Sequence, residues 1–234
     1  MADWISFFDT DHPIYVNDRH RQVHARLLAL GLGRYIEKSD DVVLDYGCGE
    51  ALHAGRIAEA CGRLILCEAA PKLRASLAER FADNDRISVM SPQDVEAMPD
   101  ASVDLVVLHS VAQYLTRDDL AGLLSLFRGL LRPSGRLVLG DIVRPDVSAL
   151  TDAGALVGLA AANGFFFAAI SGLARTLLSD YWKLRQSTGL TRYGEKYILK
   201  MLDAAGLSGA RVRPNVGHNQ ARMTFLAHPR GDQA

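Results

Sequence analysis

The sequence predicts an α/β protein: a doubly wound, mostly parallel sheet with a C-terminal antiparallel strand and an inserted helical cap. Three observations carry this expectation. From Val42 to Asp141, short apolar or β-branched runs alternate with amphipathic helical segments. Val103 to His109 is almost continuously apolar, which suits a strand covered on both faces. After Asp141 the alternation stops, and Ser148 to Arg185 is helical in pattern and rich in Ala, Leu and Phe.

Each element follows from local signals. Val23, Leu27 and Leu30 fall at i, i+4, i+7 and predict a first amphipathic helix over His20 to Lys38. Val42-Val-Leu-Asp-Tyr46 is a strand that runs into Gly47-Cys-Gly49, with a helix expected from Ala51 to Cys61. Arg63 to Glu68 is the second strand, and Pro71 opens a helix with Leu73, Leu77 and Phe81 on one face. Ile87 to Met90 and Val103 to His109 are the third and fourth strands. A helix over Asp118 to Leu131, a turn at Pro133-Ser-Gly135 and a fifth strand over Arg136 to Asp141 follow. Breaks are expected in the cap at Asn163-Gly164 and Ser171-Gly172. Tyr193 to Ala205 is a helix closed by Gly206, two final strands cover Ala210 to Arg213 and Met223 to His228, and Pro229 to Ala234 is expected to fray.

The organisation is therefore an N-terminal helical segment, 1–40, a ligand-binding core, 41–147, a cap or lid, 148–190, and the closing helix and strands, 191–234. Hydrophobic residues make up 49% and charged residues 23% of 234 residues, so a packed core is expected and disorder is not. The 26 basic and 27 acidic residues leave a net charge of −1, without the basic footprint of a nucleic-acid binder. Three cysteines, Cys48, Cys61 and Cys67, lack disulfide or zinc spacing, and the N-terminus carries acid where a signal peptide needs basic residues. A cytoplasmic protein is expected, with peripheral membrane contact open: Ala155 to Ala174 carries no formal charge, and it reads as buried cap, interfacial hairpin or span.

The turn after the first strand holds the chemistry. Glycines at the carboxyl end of a strand let a ligand approach the backbone, and open α/β sheets bind ligands there. Asp45 stands two residues before Gly47, and Glu68 ends the second strand at about the 20-residue offset where an acid meets ribose hydroxyls. An acid within the turn repels a pyrophosphate but accepts hydrogen bonds from an ammonium, which favours an amino-acid nucleoside over a dinucleotide.

These residues resemble the class I S-adenosylmethionine-dependent methyltransferases, in particular the small-molecule type 11 branch. Over about Asp41 to Val143, Asp45-Tyr-Gly47-Cys48-Gly49-Glu-Ala51 is similar to D-x-G-C-G-x-G, with Ala51 replacing the third glycine. Gln93-Asp94-Val95-Glu96-Ala97-Met98-Pro99 is similar to the adenine-binding segment G-D-A-E-x-L-P, and Asp104 to Ser110 to the strand whose end borders the methyl group. The resemblance implies a Rossmann-like methyltransferase fold and S-adenosyl-L-methionine as cofactor. It implies a cofactor site of Asp45, Gly47, Cys48, Gly49, Glu68, Ala69, Gln93, Asp94, Val95, His109 and Ser110, with Asp94 facing the exocyclic amine of adenine.

The expected acceptor is a small, apolar molecule, lipidic or aromatic, contacted by Tyr15, His20, Tyr114 and Phe166. His109 is the candidate base, should the acceptor be a hydroxyl; a histidine of the N-terminal segment is the alternative. His20 and His24 share a helix face at a spacing metal ligands also use, but the sequence offers no third ligand, and no metal is expected. Cys48 is read as a packing residue, and His218 and Asn219 as turn-forming. A nucleotide-dependent oxidoreductase is disfavoured by Asp45 and by the two C-terminal strands, and a non-catalytic binding module by the intact motifs. Acceptor, methylated atom and oligomeric state are not legible.

Overall fold

The computed structural model describes residues 2–9, 15–177 and 189–231. Seven strands form one sheet: β1 Val42–Tyr46, β2 Arg63–Cys67, β3 Ile87–Met90, β4 Val103–His109, β5 Leu131–Ile142, β6 Leu207–Val212 and β7 Met223–Pro229. Their order is β3-β2-β1-β4-β5-β7-β6. Strands β1 to β5 are parallel, and β7 runs antiparallel between β5 and β6. The chain winds outward from β1 to β3 and then returns to place β4 beside β1. This reversal opens a crevice at the carboxyl ends of β1 and β4, where such sheets hold ligands.

Helices cover both faces. The helices α2 (Asp18–Gly33) and α3 (Ala54–Glu59) lie over one, with Leu32, Ala54, Ala58, Leu64, Val107 and Val216 in a common cluster. On the other, α6 (Arg117–Leu130) and α9 (Glu195–Ala204) bury Leu120, Leu124, Phe127, Ile198 and Leu202 against Val106, Leu139 and Phe225. Burying a side chain such as Leu124 or Phe127 contributes roughly 1.5–3 kcal/mol, so this seam dominates the docking of α6. Capping sharpens its start: Thr116 and Asp119 form a reciprocal capping box, worth about 1 kcal/mol. Near one end of the sheet the buried Arg136 on β5 donates to the Tyr35 carbonyl at 2.7 Å and pairs with Asp41 at 2.6 Å, which staples the connection between α2 and β1 to the sheet.

Shorter helices complete the frame: α1 (Ala2–Phe8), α4 (Pro71–Arg80), α5 (Pro92–Glu96), and the cap pair α7 (Ala149–Asn163) and α8 (Phe166–Leu177). The cap rests on the N-terminal segment through Ala160, Phe165 and Ala169 with Val16 and Val23.

Several expectations are corrected. The first helix ends at Gly33, not Lys38, since Tyr35 is drawn into the Arg136 staple. The helix after β1 begins at Ala54, because Ala51 takes a left-handed φ of 43° and interrupts any earlier start. Pro133-Ser-Gly135 lies inside β5, as an irregularity between the pairs Val103 with Leu131 and Leu105 with Arg136. α5 was not anticipated. Ser171-Gly172 does not break α8; a Cβ on Gly172 would stand 2.2 Å from Val16 Cγ1, so glycine there answers a helix-to-segment contact. The C-terminal segment is tied down beyond Pro229, the Arg230 N–H donating to the Gly206 carbonyl at 2.9 Å. The expected final part of the cap, 178–188, lies outside the described residues, as do 232–234 of the expected frayed end.

Candidate active site

The glycine turn is built by β1 and β2 together. The backbone N–H groups of Gly47 and Cys48 both donate to the Cys67 carbonyl, at 2.8 and 3.1 Å, so the turn folds over the end of β2. Gly47 has φ of 76°, and a Cβ there would lie 2.5 Å from Val111 Cγ2; both reasons require glycine. Glu68 holds the turn from the other side, its carboxylate accepting from the N–H of Gly49 at 3.0 Å and of Ala70 at 2.9 Å. An ionised carboxylate has about four acceptor positions, so two remain for a ligand's hydroxyls. Burial, then the neighbouring Glu68, pushes Asp45 up to about 7. Such an acid pair favours a cation and disfavours a phosphate.

A cavity of about 1360 Å³ opens over this turn. Ligand pockets are commonly about 300–1,000 Å³, so this one has room for two molecules side by side. Its lining includes the glycine turn and strand ends, Asp45, Gly47, Cys48, Gly49, Glu68, Ala69, Gln93 and Ser110, together with Tyr15, His20, His24, Tyr114, Leu156 and His218. α1 contributes Trp4, Ile5 and Phe8 to the lining: Trp4 is buried and packs on Tyr114 with centroids 4.4 Å apart, and the following Asp9 accepts from the Lys72 N–H at 2.6 Å.

Three expected contacts do not line the cavity. Asp94 caps α5, its Oδ2 accepting from the Ser91 N–H at 2.8 Å and hydroxyl at 2.7 Å. Val95 is core. Phe166 points outward, packing against Phe167, which is 86% exposed. Burial beside Asp45 and Glu68 pushes the Cys48 thiol up, away from a nucleophilic state.

His109 lines the cavity at the end of β4, where Nε2 donates to the Val216 carbonyl at 3.2 Å and Nδ1 lies 3.1 Å from Ser110 Oγ, whose one proton goes to Asp141. Burial lowers its pKa against the opposing influence of Asp141 and the Val216 carbonyl, which keeps the ring neutral. The Ser110 hydroxyl donates to Asp141 at 2.7 Å, and Asp141 pairs with Arg222 at 2.6 Å. Arg222 continues to Gln113 Oε1 at 3.2 Å and to Asp152 of α7 at 3.2 Å, tying β4, β5, β7 and the cap together. Burial notwithstanding, Asp141 and Asp152 raise the Arg222 pKa.

Sequence reading missed Asp141, Asp152 and Arg222 because no local signal joins residues 70 to 81 positions apart. His218, read as turn-forming, instead faces His24 at 5.8 Å between ring centroids. Among the described residues no helix is long and apolar enough to cross a membrane, and no group of three or more His, Cys, Asp or Glu is arranged to hold a metal ion.

The sequence profile of the methyltransferase domain family matches residues 44–139, the stretch that builds the glycine turn and strands β1 to β5. Residues 44–139 of this chain are a methyltransferase domain. No curated protein matches the sequence. Solved structures share the methyltransferase fold at low identity. The putative methyltransferase in complex with the Haloferax volcanii Trm112 activator is 16% identical with a TM-score of 0.60, over 90% of this chain and 92% of that one. The YcgJ protein from Bacillus subtilis is 14% identical with a TM-score of 0.60, over 89% of this chain and 100% of that one. The DhpI–SAH complex is 14% identical with a TM-score of 0.59, over 97% and 95%. As a methyltransferase the chain is an enzyme; its acceptor is the open question.

Proposed function

We propose that this methyltransferase binds S-adenosyl-L-methionine at the glycine turn and transfers its methyl group to a small, apolar acceptor held in the same cavity. The observation that carries this reading is that one large cavity is lined both by the acidic glycine turn, with Asp45 and Glu68, and by apolar and aromatic side chains such as Trp4, Tyr15, Leu28, Tyr114 and Leu156. The cofactor supplies an electrophilic methyl on a sulfonium cation, and the residues present fit it. Asp45, raised beside Glu68, gains an electrostatic partner in an ammonium or sulfonium, which a dinucleotide's pyrophosphate would not provide. Glu68 would hold the ribose hydroxyls with its two free acceptor positions, Gln93 would border the adenine, and the open face of Gly49 would admit the ligand backbone. Ser110 and His109 would border the reacting centre, as orienting groups. Trp4, Tyr114 and Leu156 would exclude water, which leaves alignment to supply much of the acceleration.

Calorimetric titration with S-adenosylmethionine tests the cofactor half. Asp45→Ala and Glu68→Ala should each lose about 1.5–3 kcal/mol, roughly ten- to over a hundredfold in Kd. Wild-type affinity in both folded variants would refute the assignment. Labelled methyl transfer into a host extract, with isolation of the product, tests the acceptor half.

A further inference from the structure

We infer that the acceptor is an uncharged hydroxylic molecule on an apolar body, a phenol or an enol, that the facing imidazoles of His24 and His218 hold its hydroxyl, and that His218 receives the proton its oxygen releases on methylation. The inference rests on the methyl-transfer reading and specifies the substrate class of the same cavity.

His24 comes from α2 and His218 from the loop between β6 and β7, and both line the cavity. Their centroids are 5.8 Å apart with the planes at 73°, and Tyr15 lies 5.7 Å from His24. Unlike His109, neither ring makes a hydrogen bond to a described residue, so their nitrogens remain for a ligand. The charged groups around the pair are all engaged in ion pairs. Arg222 is matched by Asp141 and Asp152, and Arg21 by Glu50 at 2.7 Å. An acceptor carboxylate would find no unpaired cation among these groups, and an ammonium no unpaired carboxylate. The groups influencing the two rings are His20, His109, Asp141, Asp152 and Arg222. Burial first, and the other histidines, hold both imidazoles neutral, while Tyr15, pushed up to about 12 by burial, stays a donor.

The step balances in charge. The oxygen–methyl bond forms as the sulfur–methyl bond breaks, the sulfonium becomes a neutral thioether, and the hydroxyl proton passes to a ring nitrogen of His218. One positive charge leaves sulfur as one appears on imidazole. The sulfonium that would oppose an imidazolium is thus gone when the imidazolium forms, and Asp141, which raises the pKa of both rings, faces the new charge.

The test uses the whole chain, with S-adenosylhomocysteine and 2-naphthol as probes. Bound to the S-adenosylhomocysteine complex, 2-naphthol should lose about tenfold in affinity in His218→Leu and in His24→Leu, the value of one hydrogen bond. In turnover, weakly acidic phenols should slow by about 10²–10⁴-fold in the double variant, while a nitrophenol already ionised at neutral pH stays within a few-fold. Should a leucine variant fail to fold, as judged by its thermal melt, His218→Gln and His24→Gln carry the same comparison. Equal slowing of all phenols, unchanged turnover of weakly acidic phenols, or preferred transfer to an amine, thiol or carboxylate would overturn the inference. So would S-adenosylhomocysteine binding without affinity for any phenol. Failure to bind S-adenosylhomocysteine at all would instead remove the methyl-transfer reading, and this inference with it.

Discussion

Ser110 and Asp141 end adjacent parallel strands, both in the left-handed region with φ of 58° and 60°, and the hydroxyl of the first donates to the carboxylate of the second at 2.7 Å. Non-glycine residues held there cost about 1–3 kcal/mol each and persist only where surroundings fix them. What fixes these is the Arg222 pair and the Ser110 N–H, which donates to the Gly140 carbonyl at 3.2 Å. Asp141→Asn keeps a side chain that tolerates this backbone but leaves Arg222 short of one anion. Breaking a buried pair costs about 3–5 kcal/mol, and the low end is expected here because Asp152 still faces Arg222. Urea unfolding at neutral pH measures it, and Asp141→Asn with Arg222→Gln should recover part of the loss.

The glycine turn makes an opposed pair of predictions. Gly47→Ala places a methyl against Val111 at positive φ and should destabilise the protein by about 1–3 kcal/mol while weakening cofactor binding. Ala51→Gly relieves a left-handed alanine, whose strain is about 1–2 kcal/mol, against a glycine entropy cost of about 0.5–1 kcal/mol. A net gain of a few tenths to about 1 kcal/mol should raise Tm, with cofactor affinity equal or better.

Stability should depend on pH through two opposing groups. Burial lowers His20 to about 4 and His24 to about 3, so the unfolded chain binds protons below about 6.5 that the folded chain refuses. Their neutral burial is fully compatible with folding above about 6.5 and costs stability as pH falls from there toward 3–4. Asp45 acts in reverse: it retains a proton up to about 7 when folded, so its contribution is present at low pH and is lost as pH rises from about 4 through 7. Urea midpoints across pH 4–8 should show a shallow wild-type profile. His20→Gln with His24→Gln should leave a slope that falls with pH, and Asp45→Asn one that rises. Cofactor binding near neutral pH should release a proton from Asp45, read as a buffer-dependent calorimetric enthalpy that Asp45→Asn abolishes.

The cap makes a contact that one methyl disturbs. Gly172→Ala brings Cβ within 2.2 Å of Val16 Cγ1 and should lift α8 from the N-terminal segment. Because this contact is made outside the glycine turn, KM for the acceptor should rise several-fold while S-adenosylhomocysteine affinity, measured by calorimetry, is retained.

The sheet was readable because each strand carries its own signal: Val103 to His109 is almost continuously apolar, and its core residues are buried between α2 and α3 on one side and α6 on the other. The glycine turn was readable because Asp45, Gly47 and Gly49 are close in sequence. Asp94 illustrates the opposite case, since its competing partner, Ser91, lies three residues away and local capping takes the carboxylate. The Asp141–Arg222–Asp152 network and the His24–His218 pair arise only when α2, β5, β7 and α7 converge, and periodicity carries no information about that meeting. Gly172 was misread because glycine marks both helix breaks and close approaches, and only the neighbouring Val16 distinguishes them.

The Arg136 staple gives the acceptor end of the cavity two walls of unequal tolerance. His24 rides on α2, which the buried guanidinium and the Leu32 cluster fasten to the sheet, whereas α7 and α8 rest on a small cluster of Ala160, Phe165 and Ala169 and on the polar contacts of Asp152 with Arg222 and Asn219. Diversified libraries aimed at new acceptors should therefore accumulate viable changes in the cap and lose them along α2, so the enzyme can exchange the bodies of its substrates more readily than the functional group it methylates.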